Sequence, residues 1–387
     1  MSARTGMSHN ERVMAAIRRE PVDYVPCSPS FNQLSATQRR GKSWNFPWGP
    51  SIYEQVDYGV NVLDTDPVVS VSAGSWEPHP DVSSRVWFDE SDQTLHKVYD
   101  TPAGELSATV DYDERWPHGY DIPFFTDFLP AHATEQWIET EQDVECLSYI
   151  LRPVQSKAAL DRLRFSFMER RRIADEFTLA TRASVGMGLT GALQIFGPSD
   201  LCIMMVENPG IVHRFLEIEH EVNMRRIEIA VELGADIIAR NGFYETTDFY
   251  SPKMLQEFVF DRIQQETEAA HQAGKPVVYT VNTGIMPMLD YLRRLNVDCL
   301  ISIDIAFKDH DLQQIVDSQE GTKSFWIGPS SSYQLQEPDP EITRQAVRDC
   351  FQAVGKTGLI ITPCPSLHSI MPWENGLAMI DEWKKLR

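Results

Sequence analysis

Along this chain, short apolar runs alternate with longer amphipathic segments. Two runs, 235–239 and 277–281, follow Gly234 and Gly274-Lys275-Pro276, and both read as buried parallel strands. Between them Ser251-Pro252 offers an N-cap and a proline at the first helical position, and apolar side chains keep helical spacing up to Gly274. The result is one strand, helix, strand unit. The same alternation predicts strands at 25–31, 60–63, 179–185, 235–239, 277–281, 299–303, 324–327 and 359–362, with helices between them and a capping box, Ser8 to Glu11, opening the first helix. Eight strands each followed by helix predict an α/β fold, a (β/α)8 TIM barrel of one domain spanning 1–387, with every strand's carboxyl end on one face. A doubly wound open sheet is the alternative, but no Gly-x-Gly-x-x-Gly follows any strand.

The period changes between 85 and 110. There VWF, LHKVYD and LSATVDY alternate in period two and are broken by ESDQ and TPAGE, which predicts an antiparallel meander inserted into the barrel at about 68–140. The loop after it, 116–125, is aromatic and stiffened by proline, and reads as a lid. Residues 32–50 are irregular and carry Trp44, Phe46 and Trp48.

Composition narrows the function classes. Hydrophobic residues at 42% and charged residues at 24% are ordinary for a globular protein. No run of about 18 apolar residues occurs, and residues 1–19 are polar without a signal core, so a cytoplasmic protein without membrane partners is expected. A formal charge of −21 argues against nucleic acid and leaves a small molecule as the expected partner. The six cysteines form no CxxC pair, a pattern of reduced thiols.

Candidate chemistry sits where strands end. Asp66 and Asp304 close the second and sixth predicted strands, and carboxylates there suit catalysis, with helix capping as the plain alternative. Asn241, Tyr244 and Glu245 follow the fourth strand and suit proton transfer or substrate hydrogen bonding. Thr280 and Asn282 share a side of the fifth strand and are expected to point inward, orienting a ligand. Cys364 follows the eighth strand, four residues before His368; a thiolate there would bind Zn²⁺ or attack a methyl group, and His368 would serve as metal ligand or acid/base. His118 in the aromatic loop is a further substrate-binding candidate.

Several segments together resemble the uroporphyrinogen decarboxylase superfamily: ERVMAAIRREPVDYVP (11–26), GALQIFGPSDLCIMMVEN (191–208), Gly234-Ala235-Asp236, Ser251-Pro252 and Pro372-Trp373-Glu374-Asn375. The resemblance implies a TIM barrel and either of two chemistries, tetrapyrrole decarboxylation or zinc-dependent methyl transfer involving corrinoid proteins, thiols and small methyl donors. The decarboxylases' arginine-rich segment after the first strand is absent; Ser30-Phe31-Asn32-Gln33-Leu34 stands there, and Arg39 and Arg40 lack the motif around them. The methyltransferases' His-x-Cys pair on the fifth strand is replaced by Thr280-Val281-Asn282, while Cys364 matches their third ligand. Three readings follow: methyl transfer from a small organic substrate to a corrinoid protein or thiol, with zinc as a candidate cofactor; a metal-free decarboxylase or acid/base lyase; and a non-catalytic ligand-binding barrel. The methyl-transfer reading is preferred.

Overall fold

A computed structural model describes residues 6–30, 51–367 and 371–387. Its centre is a curled parallel sheet whose strands run in the order β1 (Val69–Val71), β6 (Thr181–Val185), β7 (Ile237–Asn241), β8 (Val277–Thr280), β9 (Cys299–Asp304), β10 (Ser324–Gly328) and β11 (Leu359–Ile361). Residues 25–28 lie between the two ends. Ser28 N donates to Ile361 O at 2.8 Å, Ile361 N to Pro26 O at 2.9 Å, and Asp66 N to Cys27 O at 2.6 Å. Seven strands and this extended segment make the eight staves of the expected α/β barrel.

One strand is not where the apolar pattern put it. Residues 60–62 belong to a π-helical turn, Tyr58–Val62, with Leu63 as its C-cap, that continues the helix Ile52–Asp57 begun by the Ser51/Glu54 capping box. Val62 is 61% exposed, so that run packs on one side only. The second barrel strand is instead β1, whose inward residue is Ser70; a polar inward position hides the continuous apolar run by which buried strands are recognised.

The antiparallel sheet forms as expected. Strands β2 (Ser83–Asp89), β3 (Thr94–Thr101) and β4 (Gly104–Asp111) pair in sequence, and β5 (Ala133–Glu135) adds to β4. At the amino-terminal end of the barrel, the helix His9–Ile17 buries Val13, Ala16 and Ile17 in one cluster with the inward residues Ile237, Val278, Cys299, Trp326 and Ile360. The lumen is therefore closed below. Among the described residues no single helix is long and apolar enough to cross a membrane.

Candidate active site

Above that plug the lumen is hollow. The inward positions Ser70, Ser184 and Ala239 are small, and with Arg182, Asn241, Thr280, Ile301, Ser302, Trp326 and Thr362 they surround a cavity of about 340 Å³. That volume suits a small organic ligand. The aligned positions Ser70, Arg182 and Ile237 on β1, β6 and β7 show how the arginine comes to face inward: it alternates with Thr181 and Ala183, which are fully buried on the helix side.

Arg182 makes no hydrogen bond and no ion pair among the described residues, and its Nε is buried without a partner. Its guanidinium lies over the Trp326 ring at 5.5 Å. Burial lowers its pKa from the usual arginine value, opposed only weakly by Cys299. Arg226, from the helix Pro209–Leu233, reaches the same wall and donates from Nη2 to Ser184 O at 2.8 Å; its Nε is also buried and unpaired.

A second cavity of about 390 Å³ adjoins the first, and both have Met187 and Arg226 in their walls. It is built where the inserted sheet meets the barrel: Trp76, Tyr99, Phe124 and Phe125 supply aromatic faces, and Lys97 is paired with Asp121 at 2.6 Å. The expected aromatic lid thus forms a wall. Between the two cavities the chain turns through Gly186-Met187-Gly188, held by Gly186 N to Asn223 Oδ1 at 2.9 Å and Met187 N to Glu219 Oε1 at 2.7 Å. Gly188 has φ of 48°, and a Cβ there would come within 2.1 Å of Glu245 Oε1, so only glycine fits.

A third feature lies at the carboxyl ends of β8 to β11. Ser302 takes the left-handed conformation, φ 71°, and its carbonyl accepts from Asn282 Nδ2 at 2.8 Å and from Cys364 Sγ at 2.9 Å. Ser330 Oγ donates to Asp304 Oδ2 at 2.9 Å. Backbone held in this region for a non-glycine residue is typical of functional positions. Burial, with a contribution from Asp304, pushes the Cys364 thiol well above its ordinary pKa, so it is an S–H donor rather than a thiolate.

The predicted residues therefore divide. Asn241 and Thr280 line the lumen, and Asn282, Asp304 and Cys364 meet at its rim. Asp66 is elsewhere: with its strand displaced, it precedes β1 at the amino-terminal end, fully buried, accepting from His9 Nδ1 at 2.8 Å, Arg12 Nη1 at 2.6 Å, Cys27 N at 3.2 Å and Tyr24 Oη at 3.3 Å. In barrels that end serves stability. Glu245 is fully buried on the outer side of the sheet, accepting from Leu189 N at 2.9 Å, Tyr279 Oη at 2.6 Å and Arg240 Nη2 at 3.2 Å. Burial raises its pKa, opposed by Arg240. Tyr244 is half-buried, its phenol pushed up to about 12 by burial and by Asp127. His118 Nε2 lies 2.7 Å from Thr126 Oγ1 and packs against Trp116. Neither Tyr244 nor His118 lines either cavity. His368 and the 32–50 aromatics lie outside the described residues.

A model of the uroporphyrinogen decarboxylase (URO-D) family matches residues 134–386. The chain belongs to the uroporphyrinogen decarboxylase family. The matched span takes in every barrel strand except β1 and leaves β2 to β4 outside it. A methyltransferase from Methanosarcina mazei has a similar fold, with a TM-score of 0.60 at 14% identity over 98% of this chain and 99% of that one. A B12-independent methionine synthase from Shewanella sp. W3-18-1 gives a TM-score of 0.42 at 10% identity, over 93% and 96% of the two chains. No curated protein matches the sequence.

Among the described residues, the donors around Cys364 do not fit a zinc site of the kind the family resemblance implies. The neighbouring groups are the Asn282 amide just past β8 and, on β9, the Ser302 carbonyl and the Asp304 carboxylate; the sulfur is a hydrogen-bonded thiol, and the one cluster of three metal-competent side chains among the described residues is Asp89, Asp92 and His96 at the exposed β2–β3 turn. Arg182, Ser184, Trp326 and Arg226 were not picked out by reading strand ends. For Arg182 and Ser184 the signal was the alternation within Thr181-Arg182-Ala183-Ser184-Val185, an arginine and a serine on one face of an otherwise buried strand.

Proposed function

We propose that this member of the family is an enzyme that takes a small organic substrate into the barrel lumen and transfers a methyl group from it to an acceptor at the rim, a corrinoid protein or a small thiol. One observation carries the choice over decarboxylation: among the described residues, the ionisable side chains in the wall of the lumen are two arginines, Arg182 and Arg226. Loss of CO₂ leaves a carbanion that must be protonated, and guanidinium groups, hydroxyls and amides are poor proton donors near neutral pH. Methyl transfer needs no such donor when the group that leaves is a phenolate, a thiolate, or the neutral amine released from a quaternary ammonium. The acceptor supplies the electron pair of the new bond, the bond from methyl to heteroatom breaks, and its pair stays on the heteroatom. A leaving group that gains negative charge in this step is stabilised by a fixed cation such as Arg182 or Arg226. Thr280 and Asn241 orient the substrate, and the aromatic wall excludes water from one side. The full-length likeness of fold to a methyltransferase is in keeping with this reading.

The test is turnover of a panel of small aryl methyl ethers, methyl thioethers and quaternary methylammonium compounds with cob(I)alamin or 2-mercaptoethanol as acceptor, followed by mass spectrometry of the demethylated product. Demethylation of at least one class, abolished in Thr280→Val/Arg182→Met, is expected. Release of CO₂ from carboxylated members of the panel without demethylation would overturn it.

A further inference from the structure

The two adjoining cavities have complementary characters. The lumen presents Arg182 without any polar partner and Arg226 with a single carbonyl, and the chamber presents Trp76, Tyr99, Phe124 and Phe125. Both side chains are only partly buried, but each has its Nε buried without a partner, and a guanidinium held at a cavity wall without an anion is costly because arginine cannot escape by losing its proton. Such a cation inside a protein of net charge −21 is a feature of the cavity and not of the general surface.

From this arrangement we infer that the lumen binds the carboxylate of a small aromatic or branched-alkyl acid through Arg182 and Arg226, with the apolar body of the acid lying in the aromatic chamber across Met187. The charge in the walls limits the anion. In the walls Arg182, Arg226 and Lys97 face Asp121 and Glu219, and Glu266 behind the wall also acts on Arg226, so any positive excess is small and matches a monoanion better than a phosphomonoester. Lys97 is already paired with Asp121, and Glu219 is held by Met187 N. That leaves Arg182 with no carboxylate acting on it, and Arg226 sharing the field of Glu219 and Glu266 with the ligand. Ser70 and Ser184 beside them offer hydroxyls to the carboxylate, and the Trp326 ring lies 5.5 Å from the Arg182 guanidinium, within reach of a cation–π attraction.

This inference names the substrate class for the methyl transfer proposed above and rests on that reading for the reaction, but its test reads binding alone. Isothermal titration of the full chain, with no acceptor present, would compare benzoate, acetate, benzamide and phenyl phosphate. Benzoate is expected to bind at least about tenfold tighter than each of the others, because it alone combines a monoanion with an apolar ring. In Arg182→Met the preference of benzoate over benzamide should collapse, and Arg182→Lys should restore part of it. Phe125→Ala should weaken benzoate but not acetate. Equal binding of benzoate and benzamide by the unmodified protein would overturn the carboxylate subsite without any variant. Tighter binding of phenyl phosphate would overturn the monoanion class. No binding of any of the four would overturn the inference and leave the methyl-transfer reading standing, to be judged by turnover.

Discussion

Replacing Asp66 by asparagine separates a barrel-base tie from a catalytic carboxylate. The wild-type side chain is fully buried and accepts from four donors, of which the Arg12 guanidinium at 2.6 Å is charged. Breaking a buried ion pair from one side costs about 3–5 kcal/mol when the remaining charge is orphaned. Here Arg12 keeps Asp23, with Nε to Oδ1 at 2.6 Å and Nη2 to Oδ2 at 2.9 Å, so the loss should fall below that, at about 2–4 kcal/mol. Urea unfolding followed by fluorescence and circular dichroism gives the number, and a cycle with Arg12→Met should show coupling of at least about 1 kcal/mol. Binding in the lumen should be unchanged under native conditions. A variant as stable as the wild type to within about 0.5 kcal/mol, yet inactive, would refute the assignment and return Asp66 to chemistry.

Three further outcomes are expected. Burial lowers Lys323 to about 8 from 10.5 while its Nζ donates to Leu295 O at 2.6 Å, so between those values the unfolded chain holds a proton that the folded one lacks, and stability should rise with pH there. The rise should be smaller in Lys323→Met, by paired urea titrations; equal slopes would contradict it. Of the six cysteines only Cys202 is not buried, so one thiol per native chain should react rapidly with a disulfide reagent at pH 7.5, and rapid loss of the Cys364 thiol would contradict its assignment as a buried donor. Glu245→Gln should destabilise the fold by about 2–4 kcal/mol through loss of the charge facing Arg240 and leave benzoate affinity within about twofold, because Glu245 lies on the far side of the sheet from the lumen. A large change in affinity at unchanged stability would contradict that placement.

Much of the barrel was legible because buried parallel strands are apolar runs bounded by glycine and proline, as at Gly234 and Gly274-Lys275-Pro276. The second strand was not, and the reason is the cavity in the lumen: a hollow barrel puts Ser70 where a filled one has an aliphatic residue, while residues 60–63, largely apolar but in a helical turn, imitate the missing run. That displacement carried Asp66 to the wrong end. Glu245 was read as a loop carboxylate because its partners, Arg240, Tyr279 and Leu189, lie on three different elements, which no local pattern reveals. Asn241, Thr280, Asn282, Asp304 and Cys364 were legible because inward parity and strand ends are local properties. Arg226 was not, since it enters from a helix and is distinguished only by what it meets.

The measurement that tests the account most directly uses 4-methoxybenzoate carrying ¹³C in both the methyl and the carboxyl group, incubated with the protein and a cob(I)alamin or thiol acceptor. The account predicts the methyl label on the acceptor and the carboxyl label retained in 4-hydroxybenzoate, with Arg182→Met slowing the transfer at least about tenfold. Carboxyl label appearing as bicarbonate, with the methyl ether intact, would contradict it.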